Sequence, residues 1–314
     1  MPVGCPDLNA IREARQAISG SAIRTPLVRL NASGEIYLKL ENLQPIGSFK
    51  IRGAANAMAN MSADELRRGV VTASAGNMAQ GVAWRARELG IPCTVIAPET
   101  APETKISAIE RLCARVLKVS YDDWWRAFEE RRYPGVEGVF IHAFDDLNVM
   151  AGNGTIGIEI LEDLADVDAV VIPWGGGGLA CGIASALREL KPATKILAAE
   201  VATAAPLLVA WEAGTPQAIS TERSFVDGIG GKSVFPQMFE RAKRLLDGVL
   251  VARVNEVADA VRLLAERNRI IAEGAGATPV ACAVAGGAGA GKVVCVVSGG
   301  NIDLSKLVEI FGTK

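Results

Sequence analysis

Histidine is nearly absent from this chain: His142 is the only one in 314 residues. A Ser–His–Asp triad or a histidine-rich metal site needs an imidazole in the right place. The one on offer, in the strand end "GVFIHAFDD", reads as a hydrogen-bonded structural residue. Proton chemistry must therefore fall to other groups. Cysteine is present without a pattern. Cys5, Cys93, Cys113, Cys181, Cys282 and Cys295 contain no C-x-x-C spacing, which speaks against zinc and against a small disulfide framework. An excess of one charge is missing as well, with 33 Lys and Arg interspersed among 35 Asp and Glu. That leaves no basic stripe for nucleic acid and no acidic arm. A long uncharged stretch, "GAGATPVACAVAGGAGAG" (274–291), holds six glycines and a proline. It is too weakly apolar for a membrane span and reads as a close-packed helix plus turn. The first residues, "MPVGCPDLNAIREARQAI", show no basic segment followed by an apolar run, so no secretory leader is visible. The expectation is a cytoplasmic protein that binds neither nucleic acid nor membrane.

What the chain does have is alternation. "GEIYLKLE", "GVVTAS", "CTVIAP", "RVLKVS", "VFIHAF", "AVVIPWG", "KILAAEV", "GVLVARV" and "KVVCVVSGG" are strand candidates. Amphipathic segments such as "AQGVAWRARELG", "CGIASALRELK" and "VNEVADAVRLLAERN" lie between them. Short continuous Val/Ile runs alternating with helices predict parallel sheet covered on both faces, an α/β fold. The length suggests about two domains, and no repeat or low-complexity linker marks a boundary.

Three strand-end loops carry chemistry. In "VVIPWGGGGLACGIASALREL" (170–190) a strand runs through Gly175, Gly176, Gly177 and Gly178 into a helix. Four glycines let backbone amides and the helix dipole converge on an anion, and phosphate is the natural guest. The stretch does not match G-x-G-x-x-G and no Walker lysine follows, so neither a dinucleotide nor a nucleoside triphosphate is favoured. In "TASAGNMAQGVAWRARELG" (72–90), Ser74, Ala75, Gly76 and Asn77 place amides and a carboxamide at a helix start, suited to a carboxylate. Ser or Asn there is also an ordinary helix cap. "VVSGGNID" (296–303) ends the last strand with Ser298 and two glycines. Together the loops imply a small anionic ligand at the carboxyl ends of the strands. "GSFKIRGA" then sets Lys50 in an apolar, glycine-lined turn, where desolvation lowers an amine's pKa and aids imine formation. Phosphate cradle, carboxylate loop and desolvated lysine together suit pyridoxal phosphate held as a Schiff base.

The stretches "ENLQPIGSFKIRGA", "SAGNMAQGVA", "AGNGTIGIEI", "PWGGGGLACGIA", "AEGAGA" and "VVSGGNID" appear in family order over nearly the whole chain. They resemble the fold-type-II pyridoxal-phosphate family, in its threonine/serine dehydratase (ammonia-lyase) and serine racemase branch. The resemblance implies a tryptophan synthase β-like α/β fold of two domains, each a mostly parallel sheet flanked by helices. Residues 1–59 and 148–314 would form the large cofactor-binding domain and 60–147 a smaller inserted one. It further implies that Lys50 carries the Schiff base, with Phe49 beside the pyridine ring. Asn77 would bond the ring hydroxyl, Gly175 to Gly178 the phosphate, and Ser298 the ring nitrogen. A hydroxyl there, unlike a carboxylate, does not stabilise a pyridinium, which favours β-elimination over transamination. Ser74, Ala75, Asn77 and Met78 would meet the substrate carboxylate, and Glu273 would lie near the ring. The implied assembly is a homodimer or homotetramer. No regulatory domain is expected beyond residue 314.

Three departures from the family pattern stand out. "SAGNM" replaces "SSGNH", so Ala75 takes the place of a serine that a racemase uses as its second acid/base, and Met78 replaces a histidine. Glu200 matches a cation ligand, whereas Pro206 stands where an acidic partner would follow, which counts against that site. The resulting expectation is a dehydratase that converts a β-hydroxy-α-amino acid to a 2-oxo acid and ammonia. Threonine and serine are the default substrates, and Met78 opens room for an apolar β-substituent such as that of phenylserine. An amino-acid racemase is the alternative within the fold. A nucleotide-binding dehydrogenase or a non-catalytic ligand-binding domain is the alternative outside it. Trp124, Trp125 and Trp174 are pocket or core candidates, with core favoured for the first two.

Overall fold

A computed structural model describes residues 4–312. The strands, in chain order, are β1 (Leu27–Arg29), β2 (Glu35–Leu40), β3 (Val70–Ala73), β4 (Cys93–Pro98), β5 (Arg115–Val119), β6 (Val139–Phe140), β7 (Ala169–Pro173), β8 (Lys195–Val201), β9 (Gly248–Ala252) and β10 (Lys292–Val297). Six form one sheet in the order β1-β2-β10-β7-β8-β9, and four form a second in the order β5-β4-β3-β6. The second sheet is wholly parallel. The first is parallel except for β1, which runs antiparallel to β2 with Leu27 opposite Lys39.

All nine strand candidates form strands, the two-residue β6 being the shortest. β1 was not anticipated: three residues, "LVR", paired on one side only, are too short to show a period. β10 pairs with β2 over residues 292–297 and with β7 over 293–295, and its valines and Cys295 are fully buried. A continuous apolar run is what a strand covered on both faces requires.

Three helices, Lys50–Ala59, Leu147–Asp163 and Gly178–Leu190, pack at backbone distance. A Cβ added at Gly152 would stand 2.3 Å from the Arg52 carbonyl oxygen, and one at Gly182 would stand 2.3 Å from that of Met150. Gly152 of "AGNGTIG" thus lets the lysine-bearing helix sit close against the Leu147–Asp163 helix, and Gly182 of "LACGIA" brings the third helix close to that same neighbour.

The first two of these helices, together with β2 and Glu41, hold an ionic cluster. Arg52, 1% exposed, donates from Nε and Nη2 to the Glu41 carboxylate at 2.7 and 2.8 Å, and from Nη1 to Glu159 at 2.6 Å. Lys39, fully buried in β2, donates to Glu159 at 2.6 Å and to the Thr25 carbonyl at 2.6 Å. Two cations face two carboxylates, so the buried charge is balanced and each oxygen has a donor. This cluster anchors the helix two residues past Lys50. Among the described residues, no helix is long and apolar enough to cross a membrane.

Candidate active site

A cavity of about 650 Å³ lies where the carboxyl ends of β3, β4, β7 and β10 converge, lined among others by Ser74, Pro98, Pro173 and Ser298. Open parallel sheets bind their ligands at this edge.

Lys50 opens its helix and reaches this cavity. Its Nζ donates to the Ala143 carbonyl at 2.9 Å and sits 5.0 Å from the Phe49 ring centroid. Burial lowers its pKa from 10.5 to about 8, against a smaller opposing pull from the Glu273 charge. The turn before it is fastened to the loop after β10. Phe49 N–H donates to the Ser298 carbonyl at 3.0 Å, and Gly300 N–H to that of Gly47 at 2.9 Å. This pairing brings Lys50 and Ser298 to one cavity. Gly47 has φ +71°, and the Asn301 Oδ1 lies 2.5 Å from where a Cβ would stand. The glycine before the lysine is therefore the seat of another side chain.

The tetraglycine loop also lines the cavity. The helix that follows has no capping side chain on its first amides, which leaves those donors for a ligand. Side chains are excluded at three of the four glycines. A Cβ on Gly176 would meet the Phe144 ring at 1.9 Å, one on Gly177 (φ +91°) the Trp174 ring at 2.4 Å, and one on Gly178 the Phe144 backbone at 2.7 Å. At Gly175 the nearest atom is 3.6 Å away. A backbone cradle for an anion, an amine of lowered pKa and the Ser298 hydroxyl together fit pyridoxal phosphate.

In the loop after β3, the Ser74 hydroxyl accepts from the Gly76 amide at 3.2 Å, and Ala75 adds only a methyl group. Met78, 2% exposed, borders the cavity and packs into the core around β3 and β4. Asn77 is held at both ends: its Nδ2 donates to Glu273 Oε1 at 2.9 Å, and its Oδ1 accepts from Asn301 Nδ2 at 2.8 Å. Glu273, buried at the start of the Gly274–Val284 helix, has its pKa raised to about 7 by burial and by Asp227, with the Asn77 hydrogen bond opposing.

Glu200 lies apart from this cavity. Its two oxygens accept from the amides of Leu207 and Leu208 at 2.9 Å each, at the start of the helix that Pro206 opens. Burial raises its pKa to about 7, the two amides pulling the other way. Among the described residues no group of three or more His, Cys, Asp or Glu side chains gathers as a metal site.

His142 is structural. Its Nδ1 accepts from the amides of Asp145 at 2.9 Å and Phe144 at 3.3 Å, and burial, helped by Arg131, lowers its pKa to about 3. Trp125 and Trp174 belong to the core. Trp124 packs against the same core as Trp125, on the Phe128 ring, and also borders the cavity. The sequence offered no sign of Phe144 behind the glycines, nor of the Lys105–Asp227 ion pair at 2.6 Å, whose two residues also border the cavity.

Comparison with known proteins places this arrangement. The profile described as "Pyridoxal-phosphate dependent enzyme" matches residues 18–299. The L-threonine ammonia-lyase of Thermotoga maritima is 40% identical over 284 residues, spanning 88% of this chain and 71% of that one. The catabolic L-threonine dehydratase TdcB of Escherichia coli is 36% identical over 99% of this chain and 97% of its own length. Among solved structures, processed threonine deaminase isoform 2 from Solanum lycopersicum superposes with TM-score 0.84 at 32% identity, covering 99% of this chain and 90% of that one. Maize serine racemase superposes with TM-score 0.87 at 29% identity, covering 98% of each.

Proposed function

This chain belongs to the pyridoxal-phosphate dependent enzyme family, and within it we propose that it is a dehydratase, removing water from a β-hydroxy-α-amino acid. The product released hydrolyses to a 2-oxo acid and ammonia. The observation that carries this reading is the loop after β3. Ala75 offers no proton-transferring group there. Lys50, with a pKa of about 8, is left as the base for the α-proton.

When bound, pyridoxal phosphate withdraws electrons from the substrate's α-carbon, which acidifies that proton and lets the β-hydroxyl leave. Lys50 accepts the proton as a neutral amine, a form that burial makes accessible near neutral pH. Backbone amides of Gly175 to Gly178 hold the phosphate, and Asn77 and Ser298 address the ring oxygen and nitrogen. Ser74, Ala75, Asn77 and Met78 receive the substrate carboxylate.

For the substrate, we take threonine and serine as the first candidates because the similar curated proteins carry threonine in their names. Met78, Trp124 and Phe144 all border the cavity with apolar surface, which supports acceptance of a larger β-substituent such as that of phenylserine. The division into 1–59 with 148–314 and an inserted 60–147 is supported by the strands: β3 to β6 fall in the insert and the other six outside it. A racemase is the second reading, favoured by the likeness to maize serine racemase. The test is 2-oxo acid formation from threonine, serine, 3-hydroxyaspartate and phenylserine diastereomers. Rapid appearance of the opposite α-enantiomer without 2-oxo acid would replace the dehydratase with the racemase.

A further inference from the structure

We propose that Asn301 is a positioning residue: it fixes which way the Asn77 carboxamide faces, so that Asn77 turns its amino group toward the cofactor's ring oxygen. The inference rests on the assignment of Asn77 to that oxygen, and goes beyond it by naming what sets the orientation.

An Asn side chain has two ends of nearly equal shape and opposite hydrogen-bonding sense, so its direction is set by its partners. Asn301 Nδ2 donates to the Ile46 carbonyl at 2.8 Å. A backbone carbonyl only accepts, so this end of Asn301 must be the amino group. The same nitrogen gives its second hydrogen to Asn77 at 2.8 Å, so the end of Asn77 facing it must be oxygen. The far end of Asn77 is then an amino group, with one hydrogen given to Glu273 Oε1 at 2.9 Å and one remaining. Both Asn77 and Asn301 border the cavity.

Glu273 does not impose this orientation by itself. With its pKa near 7 it spends part of its time protonated, and a carboxylic acid can donate to an amide oxygen as readily as a carboxylate accepts from the amino group. The Ile46 carbonyl has no such freedom, and Asn301 transmits its polarity to Asn77. Gly47 makes this possible, since Asn301 Oδ1 occupies the place of a Cβ at 2.5 Å. The chain from Ile46 through Asn301 and Asn77 to Glu273 joins the turn before Lys50, the loop after β10, the helix after β3 and the segment before residue 274.

The experiment is a double-mutant cycle on the full chain, read by the cofactor dissociation constant and by the visible absorbance maximum of the lysine-bound cofactor. Asn301→Asp presents only acceptors to Ile46 and Asn77, and turns the Asn77 oxygen toward the ring. It is expected to weaken cofactor binding by about tenfold and to shift the absorbance band. Asn301→Ala releases Asn77 without reversing it and should weaken binding less, by about threefold. In an Asn77→Ala background both Asn301 substitutions should have almost no further effect on either readout, because the group they orient is gone. Equal effects in the two backgrounds would overturn the proposal and leave Asn301 a structural residue. Unchanged affinity and spectrum in Asn301→Asp would overturn it too. If Asn77→Ala alone moves neither readout, the Asn77 assignment fails and takes the proposal with it. Should Asn301→Asp not fold, the Asn301→Ala arm of the cycle decides by the same criteria.

Discussion

Removing the Lys50 amine should make the cofactor-free protein more stable at neutral pH while abolishing its chemistry. In the folded chain Lys50 holds its proton less tightly than in the unfolded chain, its pKa falling from 10.5 to about 8 because of burial. Each factor of ten in proton affinity is about 1.4 kcal/mol, so the fall corresponds to about 3 kcal/mol of destabilisation wherever the amine is charged in both states. That penalty is fully present below pH 8. Between pH 8 and 10.5 the unfolded chain binds the extra proton, stability rises with pH, and above 10.5 the penalty is gone. Lys50→Met keeps most of the side-chain volume and removes the charge. It also removes the hydrogen bond to the Ala143 carbonyl, worth about 1 kcal/mol. The net expectation is a gain of about 2 kcal/mol at pH 7. Urea unfolding of both apo proteins from pH 7 to 10.5 measures it. The difference between them should shrink over that interval as the unmodified protein recovers. A variant no more stable at pH 7, or a difference that stays constant with pH, would refute the desolvated-amine account of Lys50.

Three further outcomes are expected. Gly175→Ala has 3.6 Å of clearance and should leave apo stability unchanged, whereas Gly176→Ala must displace a Phe144 ring already packed between Phe128 and Phe235 and should cost about 1–3 kcal/mol by thermal unfolding. A loss of phosphate-cofactor affinity in Gly175→Ala without a loss of apo stability separates the cradle from a merely structural turn. Ala75→Ser should raise racemisation relative to elimination, read by chiral chromatography of unreacted substrate and by solvent deuterium at Cα; an unchanged ratio would remove position 75 from the argument. Arg52→Met leaves Glu41 and Glu159 buried with only Lys39 to balance them, and should destabilise by about 3–5 kcal/mol in denaturant unfolding.

The sequence determined by itself those features that consecutive residues encode. Runs such as "KVVCVVSGG" carry their own period and become strands, four adjacent glycines announce a backbone anion site, and "GSFKIRGA" marks a lysine in a turn that solvates it poorly. β1 escaped because three residues carry no period. The tertiary structure alone decided which side chains answer one another across the cavity. Asn77 and Asn301 are 224 positions apart and Lys50 and Ala143 are 93 apart, and no local pattern encodes either contact. The same holds for the Phe144 ring that fills the space beside Gly176, and for the two amides that take up the oxygens of Glu200. Composition shows that a glycine, an asparagine or a glutamate is present. What each one does depends on the atoms brought within 3 Å of it, and only the packing of strands and helices from distant parts of the chain brings them there.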